Sequence, residues 1–299
     1  MTGATGFVGG EALAHALTQG HEVIALTRRP QTVRAGVKWI EGTLDDSPAL
    51  DMLVTGADAV LHIAGAVNAP DRAGFEAANG KGTANVIAAM HRRGTRRLVH
   101  VSSLAARERQ LSDYGWWKAL AEQHVRASAL DWTMVRPPAI YGGGDRDLHE
   151  LFAMAQKGFV PLPPGGRLSV IEVSDLARLL VLLGADRDLS IGQTYEVDDA
   201  TPTGWTHRDF ARAIGTAVGR DHVLSVALPA PLVRLGAHID KLLRGNKARL
   251  TPDRARYMCH PDWVARPDMA PPPVLWTPQV PTGQGLAATV AAYRAKGWL

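Results

Sequence analysis

The sequence is poor in several features, and each lack narrows the reading. It holds one cysteine, Cys259, in 299 residues. That excludes an internal disulfide and any cysteine-rich metal site. No window of about 18 uncharged apolar residues occurs, so no segment reads as a membrane span. No signal peptide precedes the first glycine-rich stretch. Arginines cluster at Arg28-Arg29, Arg92-Arg93 and Arg96-Arg97, but no aromatic or helix-turn-helix signature accompanies them. The net charge of +4 therefore argues for a solvated basic face and against a nucleic-acid partner. There is no repeat and no low-complexity tract. These absences predict a soluble cytoplasmic protein whose partner is a small molecule.

One more thing is scarce. Only Met1 stands before the loop Thr2-Gly3-Ala4-Thr5-Gly6-Phe7-Val8-Gly9-Gly10. In a doubly wound fold such a loop follows a buried central strand, typically about 5 residues long. The expectation is a truncated first strand, with the native N-terminus upstream of Met1.

What is present starts with that loop. Gly3, Gly6 and Gly9 recur at every third position and lead into the helically spaced run Glu11–Leu17. Glycines there permit a tight turn and let the backbone approach a pyrophosphate, while the helix turns its free N–H groups toward the anion. Strand and helix then alternate. His21–Leu26 reads as a buried strand that exits through Thr27-Arg28-Arg29-Pro30. An acid at this exit would hold the ribose hydroxyls of NAD, whereas arginine accommodates the 2′-phosphate of NADP. Arg28, and after it Arg29, predict NADP over NAD. Residues 37–42 are the next strand, and Ser47 is a candidate cap for a short helix. Ala59–Gly65 is a strand that ends in Ala64 and Gly65, small enough for a cofactor ribose to lie against the backbone. Within it, His62 reads as a packed core histidine. Residues 75–90 form a helix with Asn79 near its start. Residues 97–101 form a strand that delivers Ser102-Ser103.

Tyr114-Gly115-Trp116-Trp117-Lys118 then opens a helix. Residues four apart share a helix face, so Tyr114 and Lys118 point at a common spot. A neutral tyrosine is a poor acid, with a reference pKa of about 10, and a nearby ammonium lowers that value. Tyr114 can then give a proton to a carbonyl oxygen or take one from an alcohol, with Ser103 hydrogen-bonded to the same oxygen. Alone, a Tyr-x-x-x-Lys pair is an ordinary surface pair. It gains weight here because glycine loop, strand-end serine and Tyr/Lys helix arrive in that order.

With these residues in place, the chain resembles the extended short-chain dehydrogenase/reductases, the NAD-dependent epimerase/dehydratase group. TGATGFVGG resembles their glycine loop, and Ser103, Tyr114 and Lys118 match their catalytic triad. Asn79 in AANGKGT, RPPAIYGGGD, IEVSDLA and the closing LWTPQVPTGQGLAATVAAYRAKGWL resemble later blocks. The resemblance implies an α/β fold with a doubly wound parallel Rossmann sheet and a smaller C-terminal substrate lobe. It places Gly3, Thr5, Gly6, Phe7, Val8, Gly9, Leu44 and Pro137 at the cofactor, with Tyr114 and Lys118 also touching it. It implies no metal. An NADP-binding domain over residues 1–200 and a substrate lobe over 201–299 follow, with 146–167 joining the lobe.

Departures sharpen the substrate class. Ala139 stands where members acting on nucleotide sugars often carry asparagine. Leu168 stands where they often carry arginine, with Arg167 one residue away. RPPAIYG is closer to hydroxysteroid dehydrogenase and ketone reductase branches. The expected activity is hydride transfer between NADP(H) and a carbonyl or alcohol. Nucleotide-sugar epimerisation or dehydration, and a non-catalytic NADPH-binding accessory subunit, are the alternatives. Trp116 and Trp117 suggest a homodimer packed through the Tyr114 helix and the helix of residues 75–90. Asp145, Arg146 and Asp147 divide evenly between substrate contact and an ordinary loop. Cys259, His260 and Asp262 read as packing, since one soft ligand is too few for a metal.

Overall fold

The computed structural model describes residues 1–69, 71–186, 188–245, 248 and 250–299. They form two compact units that interleave along the chain. The first comprises Met1–Arg136, Ser174–Glu196 and Pro271–Trp276; the second comprises Pro137–Val173, Val197–Ala270 and Thr277–Leu299.

The first unit opens with α1 (Phe7–Thr18), β1 (Val23–Thr27), β2 (Val37–Glu41), α2 (Ser47–Val54) and β3 (Ala59–His62). A short α3 (Arg72–Phe75) runs through a π-helical turn (Glu76–Lys81) into α4 (Gly82–Arg93). Then come β4 (Arg97–Val101), a 3-10 turn (Leu104–Glu108), α5 (Asp113–Arg126) and β5 (Asp131–Arg136). The chain passes through β6 (Ala139–Tyr141), α6 (His149–Gln156), β7 (Phe159–Leu162), β8 (Arg167–Leu168) and β9 (Val170–Glu172) of the second unit. It comes back to the first with α7 (Val173–Ala185) and β10 (Gln193–Glu196).

In the first unit β3, β4, β5 and β10 make one sheet in the order β10-β5-β4-β3, and every pairing is parallel. All five residues of β4 are buried, as a strand covered on both faces must be. The parallel β1–β2 pair adjoins this sheet through the first two residues. Leu26 N donates to Met1 O and Thr2 N to Leu61 O, both at 3.0 Å, and Thr2 bridges His62 in parallel. Met1 and Thr2 thus occupy the central position between β1 and β3. The core beneath is aliphatic and includes Leu50, Leu53, Val86, Met90, Leu98 and Met134.

Two local expectations shift. The α2 cap is Asp46, whose Oδ1 accepts from Ala49 N at 3.0 Å, with Ser47 the first helical residue. The single helix expected over 75–90 is broken by the π-helical turn around Asn79.

The second unit continues with β11 (Trp205–Thr206), α8 (His207–Val218), β12 (Leu224–Ala227), α9 (Ala230–Arg244), α10 (Pro252–Met258), β13 (Asp262–Trp263) and α11 (Thr282–Ala295). Its strands are short. β7 pairs with β12, β6 with β9, and β8 lies between β11 and β13. Its core gathers Tyr141, Phe152, Phe210, Ile214, Leu286 and Tyr293. Residues 146–167 belong here, and so do 137–145 and 168–173, N-terminal to residue 200. Cys259 packs at the edge of a small cluster of Val233, Ala237 and Ala255. Among the described residues no helix is long and apolar enough to cross a membrane.

Candidate active site

The site is built at the carboxyl ends of the parallel strands in the first unit, where open α/β sheets place their ligands. Gly3 has φ of +75°, and a Cβ there would sit 2.7 Å from Ala64 N. At Gly9 a Cβ would overlap the Gly3 carbonyl. Both positions need glycine, because the loop is pressed against the end of β3 on one side and against its own helix on the other. Gly6 caps α1 without any side-chain hydrogen bond. The first-turn N–H groups of α1 are thus not taken by a capping side chain. Thr5 and Gly6 are exposed, Phe7 and Val8 half-buried.

Arg28 and Arg29 follow β1 and are exposed. Their turn is held by Thr27, whose Oγ1 donates to Arg29 O at 2.7 Å. Leu44 lies on α4, where a Cβ on Gly82 would come within 2.6 Å of its Cδ1, and its carbonyl accepts from Asn85 Nδ2 at 2.8 Å. Ala64 and Gly65 follow β3. Pro137 is buried at the start of the second unit, apart in the chain from the other candidate residues, all of which lie in the first.

Ser103 caps the 3-10 turn after β4, its Oγ accepting from Ala105 N at 3.2 Å. That bond leaves the hydroxyl proton to donate elsewhere. Ser112 caps α5, accepting from Gly115 N at 2.9 Å. Gly115 lets the helix approach the Ser103 turn, since a Cβ would sit 2.7 Å from Ala105 O. The first turn of α5 is therefore fastened beside Ser103. Tyr114 in that turn is half-buried, its ring 6.1 Å from Phe75.

Lys118, one turn on, is 5% exposed and donates to Val101 O at 2.9 Å. Burial pushes its pKa down to about 8, although the Glu122 carboxylate works the other way. Its Nζ lies close to Gly65, where a Cβ would come within 3.1 Å of it and 2.7 Å of Asn79 Oδ1. Asn79 clamps this loop with both amide atoms, accepting from Ala66 N and donating to Ala66 O at 2.9 Å each. The π-helical turn aims Asn79 there, a use typical of such turns.

Beneath lies a buried polar chain that the sequence did not reveal. His62 Nδ1 is 2.7 Å from Thr2 Oγ1, and Nε2 is 3.0 Å from Thr83 Oγ1. Thr2 Oγ1 accepts from Ala64 N at 3.1 Å, and Thr83 Oγ1 donates to Asn79 O at 2.7 Å. Burial, reinforced by the Lys118 charge, pushes His62 down to about 3. It is a neutral imidazole that spaces the glycine loop from Asn79. His100 lies beside it, ring centroids 5.3 Å apart, and burial holds it well below its ordinary value.

Glu122, Arg136 and Glu196 form a second network. Ser102 Oγ donates to Glu122 Oε1 at 2.7 Å. Arg136 forks onto both Glu122 oxygens at 2.7 Å and reaches Glu196 at 3.2 Å. Arg107 reaches Glu196 at 3.1 Å. Burial raises the Glu122 pKa, but the Arg136 hydrogen bonds and charge more than offset it and hold the carboxyl low. One signal was available in the sequence: Glu122 stands four residues after Lys118, on the same helix face.

Trp117 is 9% exposed, and its ring fills the space over Gly80 within the same unit, where a Cβ would come within 2.7 Å. Trp116 is 40% exposed, with the Arg72 and Arg109 guanidiniums each 5.7 Å from its ring. In the second unit Asp145 is buried, accepting from Asp147 N at 2.8 Å and Leu148 N at 3.1 Å. Burial raises its pKa to about 6. Arg167 is taken up by a turn, donating to Thr203 O at 2.6 Å and Gly204 O at 2.8 Å.

Comparison with known proteins agrees with this architecture. Residues 3–181 match the NAD(P)H-binding family. The chain is 35% identical to a ceramide reductase of Caulobacter vibrioides, over 100% of this chain and 95% of that protein. It is 31% identical to a 2-alkyl-3-oxoalkanoate reductase of Stenotrophomonas maltophilia, over 99% of each. Among solved structures, the UDP-glucose 4-epimerase of Thermus thermophilus in complex with NAD superposes with a TM-score of 0.70 at 19% identity, over 98% of this chain and 97% of that one. That last likeness concerns the fold. From the glycine loop to the α5 helix, and in its relatives along the whole length, this chain is an NAD(P)-binding Rossmann enzyme that belongs to the extended short-chain dehydrogenase/reductases.

Proposed function

We propose that this protein transfers a hydride between NADP(H) and the carbonyl or alcohol of a hydrophobic substrate, with Tyr114 as proton donor and acceptor. The observation that carries this reading is the Lys118 ammonium, buried beside Gly65 and one helical turn from Tyr114. A buried cation with one carbonyl partner is costly. Its use is to favour the tyrosinate and to hold a ribose hydroxyl at the end of β3.

The residues present fit a dinucleotide. Side chains are excluded at Gly3 and Gly9, and α1 begins without a side-chain cap. A pyrophosphate suits that arrangement. Gly3, Thr5, Gly6, Phe7, Val8 and Gly9 would hold it, with Leu44, Ala64 and Gly65 along the rest of the cofactor. Arg28, and next to it Arg29, would meet the 2′-phosphate. The nicotinamide, when bound, supplies or accepts the hydride. In reduction Tyr114 gives its proton to the carbonyl oxygen as the C–H bond forms, and Ser103 Oγ–H steadies that oxygen. In oxidation the same proton returns to Tyr114.

Two relatives named as reductases, one of ceramide and one of 2-alkyl-3-oxoalkanoates, favour a ketone with long alkyl groups as substrate. Arg167, the arginine nearest a nucleotide-sugar position, is taken up by the 203–204 turn, which weighs against a sugar nucleotide. We also propose a homodimer through the exposed Trp116 face, which light scattering of Trp116→Ala against the unmodified protein would test.

The decisive experiment is a cofactor titration followed by turnover on a panel of alkyl ketones. NADPH should bind tighter than NADH by about tenfold or more, the worth of a charged hydrogen bond, and Arg28→Ala should erase most of that preference. Tyr114→Phe should bind NADPH normally and lose about 100- to 10,000-fold in turnover. Full activity in Tyr114→Phe would remove the mechanism, and equal affinity for both cofactors would remove the Arg28 assignment.

A further inference from the structure

Helix α9 carries an apolar stripe on its outer side. Leu232, Leu235, Ile239, Leu242 and Leu243 are 54%, 56%, 48%, 85% and 77% exposed. Four of them recur at i, i+3, i+7 and i+10, and Leu243 follows the last, so they fall on one face. The opposite face is the one that packs: Val233 and Ala237 are 6% and 0% exposed and meet Ala255, Leu228 and Leu250. The stripe is therefore not a core face. Isolated exposed leucines are ordinary, but four leucines and an isoleucine on one face mark a contact surface.

The edges of the stripe identify its occupant. Arg234, His238 and Lys241, spaced i, i+4 and i+7, line one edge. The other edge holds Gly236 and Asp240, and Asp240 is already paired with Arg244 at 3.2 Å. A second copy joined by an antiparallel two-fold would lay one basic edge along the other, which is repulsive. An anionic lipid surface does the reverse: the aliphatic face enters the acyl boundary while the basic edge stays among the headgroups. A helix of 15 residues, about 22 Å long, is suited to lie in that plane.

We propose that α9 docks this protein on an anionic lipid bilayer, lying in the interface with Leu232, Leu235, Ile239, Leu242 and Leu243 inserted. The contact is peripheral and reversible, and it does not depend on the hydride-transfer reading, because none of these residues belongs to the candidate active site.

The test is vesicle flotation of the full chain, without cofactor or substrate. The unmodified protein should float with phosphatidylcholine–phosphatidylglycerol vesicles and much less with pure phosphatidylcholine, and high salt should weaken the binding. Leu235→Glu with Leu242→Glu should reduce the partition coefficient by about a hundredfold or more, given the transfer free energy of two leucines. Arg234→Gln and Lys241→Gln should each cost about fivefold on the anionic vesicles alone. All four positions are on the outer side or edge of the helix, and an unchanged near-UV spectrum with normal NADPH titration confirms folding. Failure of the unmodified protein to float, or binding indifferent to the leucine substitutions, overturns the proposal. So does an oligomer that Leu235→Glu with Leu242→Glu dissociates in sedimentation velocity, since a second copy would then be the occupant.

Discussion

Two regions of this protein invert the usual distribution of side chains, in opposite directions. At the strand ends of the first unit, charged and polar groups are buried: Lys118 is 5% exposed, Glu122 1% and His62 0%. Along α9 of the second unit, leucines are out in solvent, Leu242 at 85%. Both arrangements are costly for a folded chain in isolation. They differ in how the cost is met. Glu122 and His62 are compensated inside the fold, through the Arg136 fork and the Thr2–His62–Thr83 chain, beside the two-way Asn79 clamp, whereas Lys118 is met by the Val101 carbonyl and keeps part of its cost. The exposed leucines have no such compensation within their own helix. Internal compensation marks a site that is ready before its ligand arrives, whereas a bare apolar stripe is completed only by what it meets.

Breaking that contrast should show it as a gradient of effects. Arg136→Met should be the most damaging to stability, because it removes the cation that Glu122 and Glu196 share and leaves Glu122 only the more exposed Arg126 and Glu196 only Arg107. Losing one partner of a buried ion pair costs about 3–5 kcal/mol, which for a chain of this size lowers Tm by roughly 10 °C in a thermal melt. Lys118→Met should act in the other direction and stabilise the cofactor-free protein by about 1–3 kcal/mol at pH 7, while turnover is lost. The sign follows from the fall of the Lys118 pKa from an ordinary 10.5 to about 8 on burial. A base whose pKa falls on folding weakens the folded state at low pH and ceases to do so at high pH. The advantage of Lys118→Met should therefore be full below about pH 8, fade as the pH rises from 8 toward 10.5 and vanish above that; denaturant titrations along that range measure it.

Thr83→Val should cost about 1–2 kcal/mol in the same titrations, since His62 Nε2 and Asn79 O lose a partner in a buried place. NADPH affinity should fall with it if the chain positions the glycine loop. The smallest effect belongs to the other region. Leu242→Ser removes an exposed methyl-bearing side chain, and its stability should stay within about 0.5 kcal/mol of the unmodified protein. A large loss there would mean that α9 is packed in solution and would erase the contrast.

Much of the first unit was legible in the linear sequence because its signals are local. The glycines at 3, 6 and 9, the four-residue spacing of Tyr114 and Lys118, and the run of residues 97–101 each speak through a neighbourhood of a few residues. Capping was less legible. Asp46 and Ser47 are both acceptable caps, and only the hydrogen bond to Ala49 N distinguishes them. Asn79 was visible as a residue, but not its clamp on Ala66, because a π-helical turn follows from tertiary crowding rather than from helix propensity.

The sequence by itself determined the alternation of strand and helix and the glycine loop before α1, since periodicity and turn chemistry suffice for these, and it offered Ser103, Tyr114 and Lys118 as candidates. Tertiary structure alone decided that Glu122, Arg136 and Glu196 meet, that Thr2 and Thr83 hold His62, and that Trp117 turns inward over Gly80 while Trp116 stays half in solvent. These contacts join segments far apart in the chain, and nothing in local composition encodes the pairing. It also decided which side of α9 is the outer one. An amphipathic pattern announces two faces, but only packing against Ala255 and Leu250 shows that the face with Val233 and Ala237 is the one the fold covers.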